Sequence, residues 1–105
     1  LMNNFSSIIF DEIDSGVSGK IGRKMGHVLR EISKKGQVIC ITHLPQIASL
    51  GNYHYHVSKK NNNQLTTTFI TNLSGDNRVA ELSRMLSGDE VNDEAIANAK
   101  KMLDI

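Results

Sequence analysis

The chain has 105 residues, 39% of them hydrophobic and 22% charged, enough for one domain with a modest core. A net charge of +1 argues neither for nor against a polyanionic partner, and a single cysteine excludes a disulfide scaffold. That lone cysteine fits a reducing, cytoplasmic setting, while no apolar run approaches the ~18 residues of a membrane span and no secretory leader is visible.

Leu1 with Met2 behind it reads as a piece of a longer protein. The first element is a strand over residues 6–10. Its short apolar run, Ile8-Ile9-Phe10, ends abruptly in two adjacent carboxylates, Asp11 and Glu12. Such a run fits a parallel strand covered on both faces, with its charges delivered at the carboxyl end where open α/β sheets bind ligands. A loop rich in Asp, Ser and Gly follows, from Asp11 to Ser18.

A helix is expected over residues 19–35, with Ser18 as N-cap and Gly36 as its stop. Ile21, Met25, Val28, Leu29 and Ile32 recur at the spacing of one buried stripe. Gly22 and Gly26, four apart, weaken this helix and so predict close packing against a neighbouring element. The same stretch carries Lys20, Arg23, Lys24, Arg30, Lys34 and Lys35 against only Glu31, which reads as a solvated basic face. Strand 37–41 then completes a parallel strand–helix–strand unit and ends in Thr42-His43. Cys40, inside that strand, reads as a small buried hydrophobe.

Pro45 suits the first turn of a short helix from Leu44 to Ala48. Tyr53–Ser58 and Gln64–Thr71 alternate like the arms of a hairpin, with Lys59–Asn63 as its loop. Two helices close the chain. One spans about 76–87, with Val79, Leu82 and Leu86 inward. The other spans about 90–104, with Val91, Ala95, Ala99, Met102 and Leu103 inward and a capping box at Ser87-Gly88-Asp89-Glu90.

The two strand ends carry the chemistry. Asp11 is placed to hold Mg2+ through its hydration shell, and Glu12 to orient or deprotonate a water attacking a terminal phosphate. His43, on the neighbouring strand end, could hydrogen-bond that phosphate. The phosphate-cradling pattern Gly-x-x-x-x-Gly-Lys-Ser/Thr is not present. Gly16–Ile21 only approximates it: Asp14 stands where its first glycine belongs, and Ile21 cannot ligate a metal.

Ile8 to Gly19 resembles the Walker B strand and following loop of ABC-type ATPases of the structural maintenance of chromosomes group. Within that group the likeness is to the bacterial branch that repairs DNA double-strand breaks. Ile41-Thr42-His43-Leu44-Pro45-Gln46-Ile47-Ala48 resembles the group's switch-histidine segment, and Tyr55–Lys59, Ala80–Gly88 and Ala97–Lys100 resemble the strand and helices beyond it. The likeness runs from about residue 6 to 103. It implies that Asp11 is the magnesium-associated acid, Glu12 the catalytic base and His43 the switch histidine. Asp14, Ser15, Gly16 and Ser18 would lie in the loop that reaches across a dimer of heads, although many relatives carry Asp where this chain has Ser18. Leu86-Ser87-Gly88 imitates the ABC signature, but follows Walker B instead of preceding it, and reads as a helix junction.

The resemblance therefore implies an α/β fold, with residues 1–105 forming the C-terminal half of one ATPase head. Part of a P-loop-type sheet carries a parallel unit, then an antiparallel hairpin and two C-terminal helices follow. ATP and Mg2+ would be held together with the N-terminal half of the same head. The heads would pair as a homodimer, and DNA would be engaged by the full-length protein near the bacterial nucleoid. The fragment alone would be inactive. Three readings compete with this one. One gathers Cys40, His43, His54 and His56 as metal ligands, though their spacing matches no zinc signature. Another has the basic helix 20–35 contact DNA, and a third makes the fragment a structural or dimer-interface half-domain without a catalytic role.

Overall fold

The computed structural model describes residues 6–105; Leu1 and Met2, on which the reading of a longer parent rests, lie outside them. Strand β1 (Ser7–Asp11), helix α1 (Gly19–Ile32) and strand β2 (Gln37–Ile41) form the expected parallel unit. The strands pair directly, with Phe10 opposite Cys40 and Asp11 opposite Ile41. Strand β3 (His54–Asn62) and strand β4 (Leu65–Leu73) make a separate antiparallel hairpin. The short helix α2 (Pro45–Ala48) precedes it, and helices α3 (Gly75–Ser87) and α4 (Asp93–Leu103) pack together at the end.

Helix α1 starts where its sequence dictates. The Ser18 hydroxyl accepts from the Ile21 amide at 3.5 Å, satisfying one of the donors orphaned at a helix start. It ends earlier than expected, at Ile32, because Ser33 caps it and returns its hydroxyl to the Arg30 carbonyl at 2.6 Å. Gly36 is thus not the stop. Gly19, Gly22 and Gly26 let α1 lie directly on the segment around α2. A Cβ at Gly26 would stand 2.6 Å from Leu50 Cδ1 and 3.4 Å from the Gln46 carbonyl oxygen; one at Gly22 would stand 2.8 Å from Leu44 Cδ1.

The apolar stripe of α1 is not buried as a whole. Leu29 is, and Met25 and Ile32 are half-buried, but Ile21 is 54% and Val28 59% exposed. With Phe10 and Ile13 they line an open apolar cleft of about 330 Å³. The strands likewise depart from coverage on both faces. Ile8, Phe10, Val38 and Cys40 are half-buried, whereas Ile9 (64%), Ile39 and Ile41 on the other face are exposed. The physical reason is that a two-stranded sheet flanked by one helix has only one face to cover.

The closed core lies at the other end. Leu82 and Ala99 are fully buried with Val79, packed by Ala48, Met85, Leu86, Ile96 and Leu103 from α2, α3 and α4. Gly88, at φ +79°, ends α3 with its amide on the Arg84 carbonyl at 2.7 Å, so Leu86-Ser87-Gly88 is a helix junction. Helix α4 starts three residues later than expected. Asn92, not a Ser87–Glu90 box, caps it by accepting from the Ala95 amide at 2.8 Å, which leaves Val91 exposed. The hairpin arms also run further, to a two-residue turn. Asn63 and Gln64 both take positive φ (+46° and +72°), the geometry that joins twisted strands most tightly. Lys59–Asn62 therefore pair with Leu65–Thr68 instead of forming a loop.

The glycine face gives an ordered test. Gly26→Ala should lower unfolding free energy by about 1–2 kcal/mol, because overpacking against Leu50 Cδ1, a buried side chain with little room to move, exceeds the ~1 kcal/mol gained in helix propensity. Gly22→Ala meets only the half-buried Leu44 side chain, which can turn away, and should change it by less than about 0.5 kcal/mol. Urea titration of both variants measures this order, and equal effects would contradict it.

Candidate functional site

The site is built from the carboxyl ends of β1 and β2 and the two loops that leave them. Past the last paired residues the strands hold together through one more bond, the Glu12 amide donating to the Ile41 carbonyl at 2.9 Å. Asp11 and Glu12 are exposed there, and Glu12 takes φ +52°, which turns the chain sharply away from the strand direction. His43 leaves β2 two residues after Ile41, and its side chain is 65% exposed. The three residues expected at one rim are therefore on one rim.

Asp14 behaves differently from the rest of its loop. Ser15, Gly16 and Ser18 are exposed, but Asp14 is 1% exposed and turns back into its own chain. The Thr42 hydroxyl donates to Asp14 Oδ2, and the His43 amide lies 3.4 Å from the same oxygen. The His43 ring nitrogen Nδ1 is 3.8 Å from it. Thr42 Oγ1 in turn accepts from the Leu44 amide at 3.0 Å. Burial pushes the Asp14 carboxyl up, but the hydrogen bonds from Thr42 and from backbone amides, with the field of His43, hold it below the ordinary carboxylate value. Burial, and then the Asp14 charge, push the Cys40 thiol up, so it stays protonated at neutral pH.

Sequence reasoning missed Thr42. The signal was available in retrospect: a hydroxyl residue directly before a strand-end histidine, with an unexplained Asp in the facing loop. Gly16, at φ +74°, and Ser18 serve the loop's own turn and the start of α1. Among the described residues no group of three or more His, Cys, Asp and Glu side chains is gathered for a metal ion. A lone exposed strand-end carboxylate such as Asp11 nevertheless fits Mg2+, which keeps most of its waters and takes its other ligands from a phosphorylated substrate. No helix is long and apolar enough to cross a membrane among the described residues.

Comparison with known proteins gives a consistent picture. No family model matches the chain. Its sequence is 44% identical over 99 residues to the DNA repair protein RecN of Haemophilus influenzae, covering 94% of this chain and 18% of that protein. It is 42% identical over 98 residues to RecN of Bacillus subtilis, covering 93% of this chain and 17% of the relative. The chain thus spans under a fifth of the length of the curated relatives it matches. A solved structure from work on the ATP-driven dimerization and DNA-stimulated activation of SMC ATPases shares the fold. Its TM-score is 0.64 at 19% identity, covering 82% of this chain and 51% of that one.

A second polar cluster joins the hairpin to α3. His54 is half-buried, with Nδ1 lacking a hydrogen-bond partner among the described residues. His56 Nε2 is 3.7 Å from Glu81 Oε1, and Arg84 Nε donates to Glu81 Oε2 at 3.0 Å. Arg78 Nη2 donates to the carbonyls of Gly51 at 2.8 Å and Ala48 at 3.0 Å, pinning the end of α2. Burial lowers the His54 pKa, the Arg78 charge adds to this, and Glu81 only partly opposes it. The unfolded chain then takes up this proton before the folded one does. Stability should fall as pH drops below about 6.5, the ordinary imidazole value, and level off below the lowered native value. Thermal unfolding between about pH 7.5 and 5 should show this slope, with His54→Gln reducing it; an undiminished slope in that variant would assign the effect elsewhere.

Proposed function

The chain belongs with the RecN proteins, matching their C-terminal part, and on that premise we propose that it supplies the hydrolytic edge of an ABC-type ATPase head in a bacterial DNA repair protein. The observation that carries this reading is the parallel register that sets Asp11 and Glu12 beside Ile41, two residues before His43. Asp11 would hold Mg2+ through water at the strand end. Bound Mg2+ would neutralise charge building on the phosphates of ATP.

The catalytic work of this chain falls to two side chains. Glu12, directed away from the strand by its positive φ, orients a water in line with the terminal phosphate and accepts its proton. His43 donates a hydrogen bond to that phosphate, holding it for attack and stabilising charge as the bond to the leaving group breaks. Ser15, Gly16 and Ser18 lie on the exposed part of the loop, where they can meet nucleotide or the opposite head of a homodimer.

The rest of the head lies elsewhere in the parent protein on this reading. The exposed Ile9, Ile39 and Ile41 face, with the cleft along α1, is where its N-terminal half packs and brings the phosphate-cradling loop. By itself the fragment neither holds ATP tightly nor turns it over. The intact protein works in the cytoplasm at the nucleoid, where head engagement and release are coupled to DNA.

Substituting Glu12→Gln in the intact protein tests the reading. ATP should still bind, while kcat falls by roughly 10²–10⁴-fold, the usual contribution of a positioned general base. Normal turnover in that variant would refute the assignment.

A further inference from the structure

Asp14 is the most deeply buried charged side chain described, with its side chain 0% exposed, yet it lies in the loop that leaves β1 toward solvent. Burying a carboxylate is costly unless its hydrogen bonds are made, so its partners are informative. Oδ1 has no partner among the described residues, and the donors from outside its own loop that reach Oδ2 come from the facing loop. One oxygen, Oδ2, takes the Thr42 hydroxyl and faces the His43 amide, and Thr42 passes the contact on to the Leu44 amide. Thr42 and His43 are thereby tied to one atom, and Leu44 to the Thr42 hydroxyl beside it. The His43 ring is largely exposed, with Nδ1 3.8 Å from the same Asp14 oxygen, so Asp14 bears on its direction both through the tied backbone and across this gap.

We propose that Asp14 is a positioning residue, a latch through Thr42 that fixes the His43 segment to the loop after β1 so that the two move as one. This rests on the reading of His43 as the group that meets the terminal phosphate. A displacement of Ser15–Ser18 by nucleotide or by a second head is then passed to His43 through Asp14. The role differs from that expected of the loop as a whole, since Asp14 acts inside its own chain and touches no substrate.

The test uses the intact protein, selectively labelled at histidine Cε1, with Asp14→Asn, Thr42→Val, Thr42→Ser and the Asp14→Asn/Thr42→Val pair. The His43 ring signal should shift in Asp14→Asn and in Thr42→Val and return toward its original position in Thr42→Ser, which keeps the hydroxyl. A signal that ignores all three substitutions overturns the latch. In steady-state assays kcat should fall ~10–100-fold in the first two variants, the cost expected of a misplaced group, with KM for ATP changed less than about threefold. The pair should be no slower than its worse single member, because both remove one contact; multiplying effects would overturn the proposal. Thr42→Val keeps the test decisive should Asp14→Asn fold poorly. If His43→Ala turns over normally while the ring signal still shifts in Asp14→Asn, it is the phosphate role of His43 that fails and not the latch.

Discussion

Everything at the rim follows from the parallel pairing of two five-residue strands. Because side chains alternate along each strand, the register that sets Phe10 beside Cys40 also decides which residues leave the sheet together. A slip of β1 by one residue would send Ile8 and Phe10 to the uncovered face and carry Glu12 away from the Ile41 carbonyl it bonds. The apolar half of each strand enforces the register, and the polar ends inherit it. No contact among Asp11, Glu12 and His43 themselves is required to bring them to one edge.

Two further constraints keep that edge fixed. The glycines of α1 allow the helix to lie against Leu44, Gln46 and Leu50, so the chain that leaves β2 is held from one side. Arg78 holds the same chain from the other by donating to the carbonyls of Ala48, at the end of α2, and of Gly51 beyond it. The His43 segment is therefore clamped between a close backbone approach and a charge-assisted set of hydrogen bonds.

Much of this was legible in the residues. Ser18 as a cap, Pro45 in a first turn, and Gly22 and Gly26 as a packing face are local rules with a single structural solution, and each was met. The rim itself followed from where two apolar runs stop. What could not be read was whether an apolar face is covered. Periodicity marks Ile21, Val28 and Ile9 as apolar positions, but covering them depends on elements a strand–helix–strand unit does not contain. Nor could Asp14 be read as buried, since an Asp in an Asp-Ser-Gly loop is ordinarily solvated, and its partner Thr42 lies 28 residues away. The hairpin arms were read short because Lys and Asn favour loops. In water on both faces they pair as well as anything else once Asn63 and Gln64 make the turn.

The distribution of burial ties folding to chemistry. The closed core of Val79, Leu82 and Ala99 lies with α2, α3 and α4, while the strands that end at the rim keep one face open. Whatever covers Ile9, Ile39 and Ile41 removes apolar area from water and stiffens the two strands at the same moment. The same event lowers the local dielectric around the rim, where the charges of Asp11, Glu12 and a phosphate would interact more strongly than in water. An edge left half-covered keeps these groups in solvent, where a lone carboxylate is a weak base and a phosphate is hydrated. On the proposed reading, covering that face and strengthening the electrostatics of the rim would be one physical step.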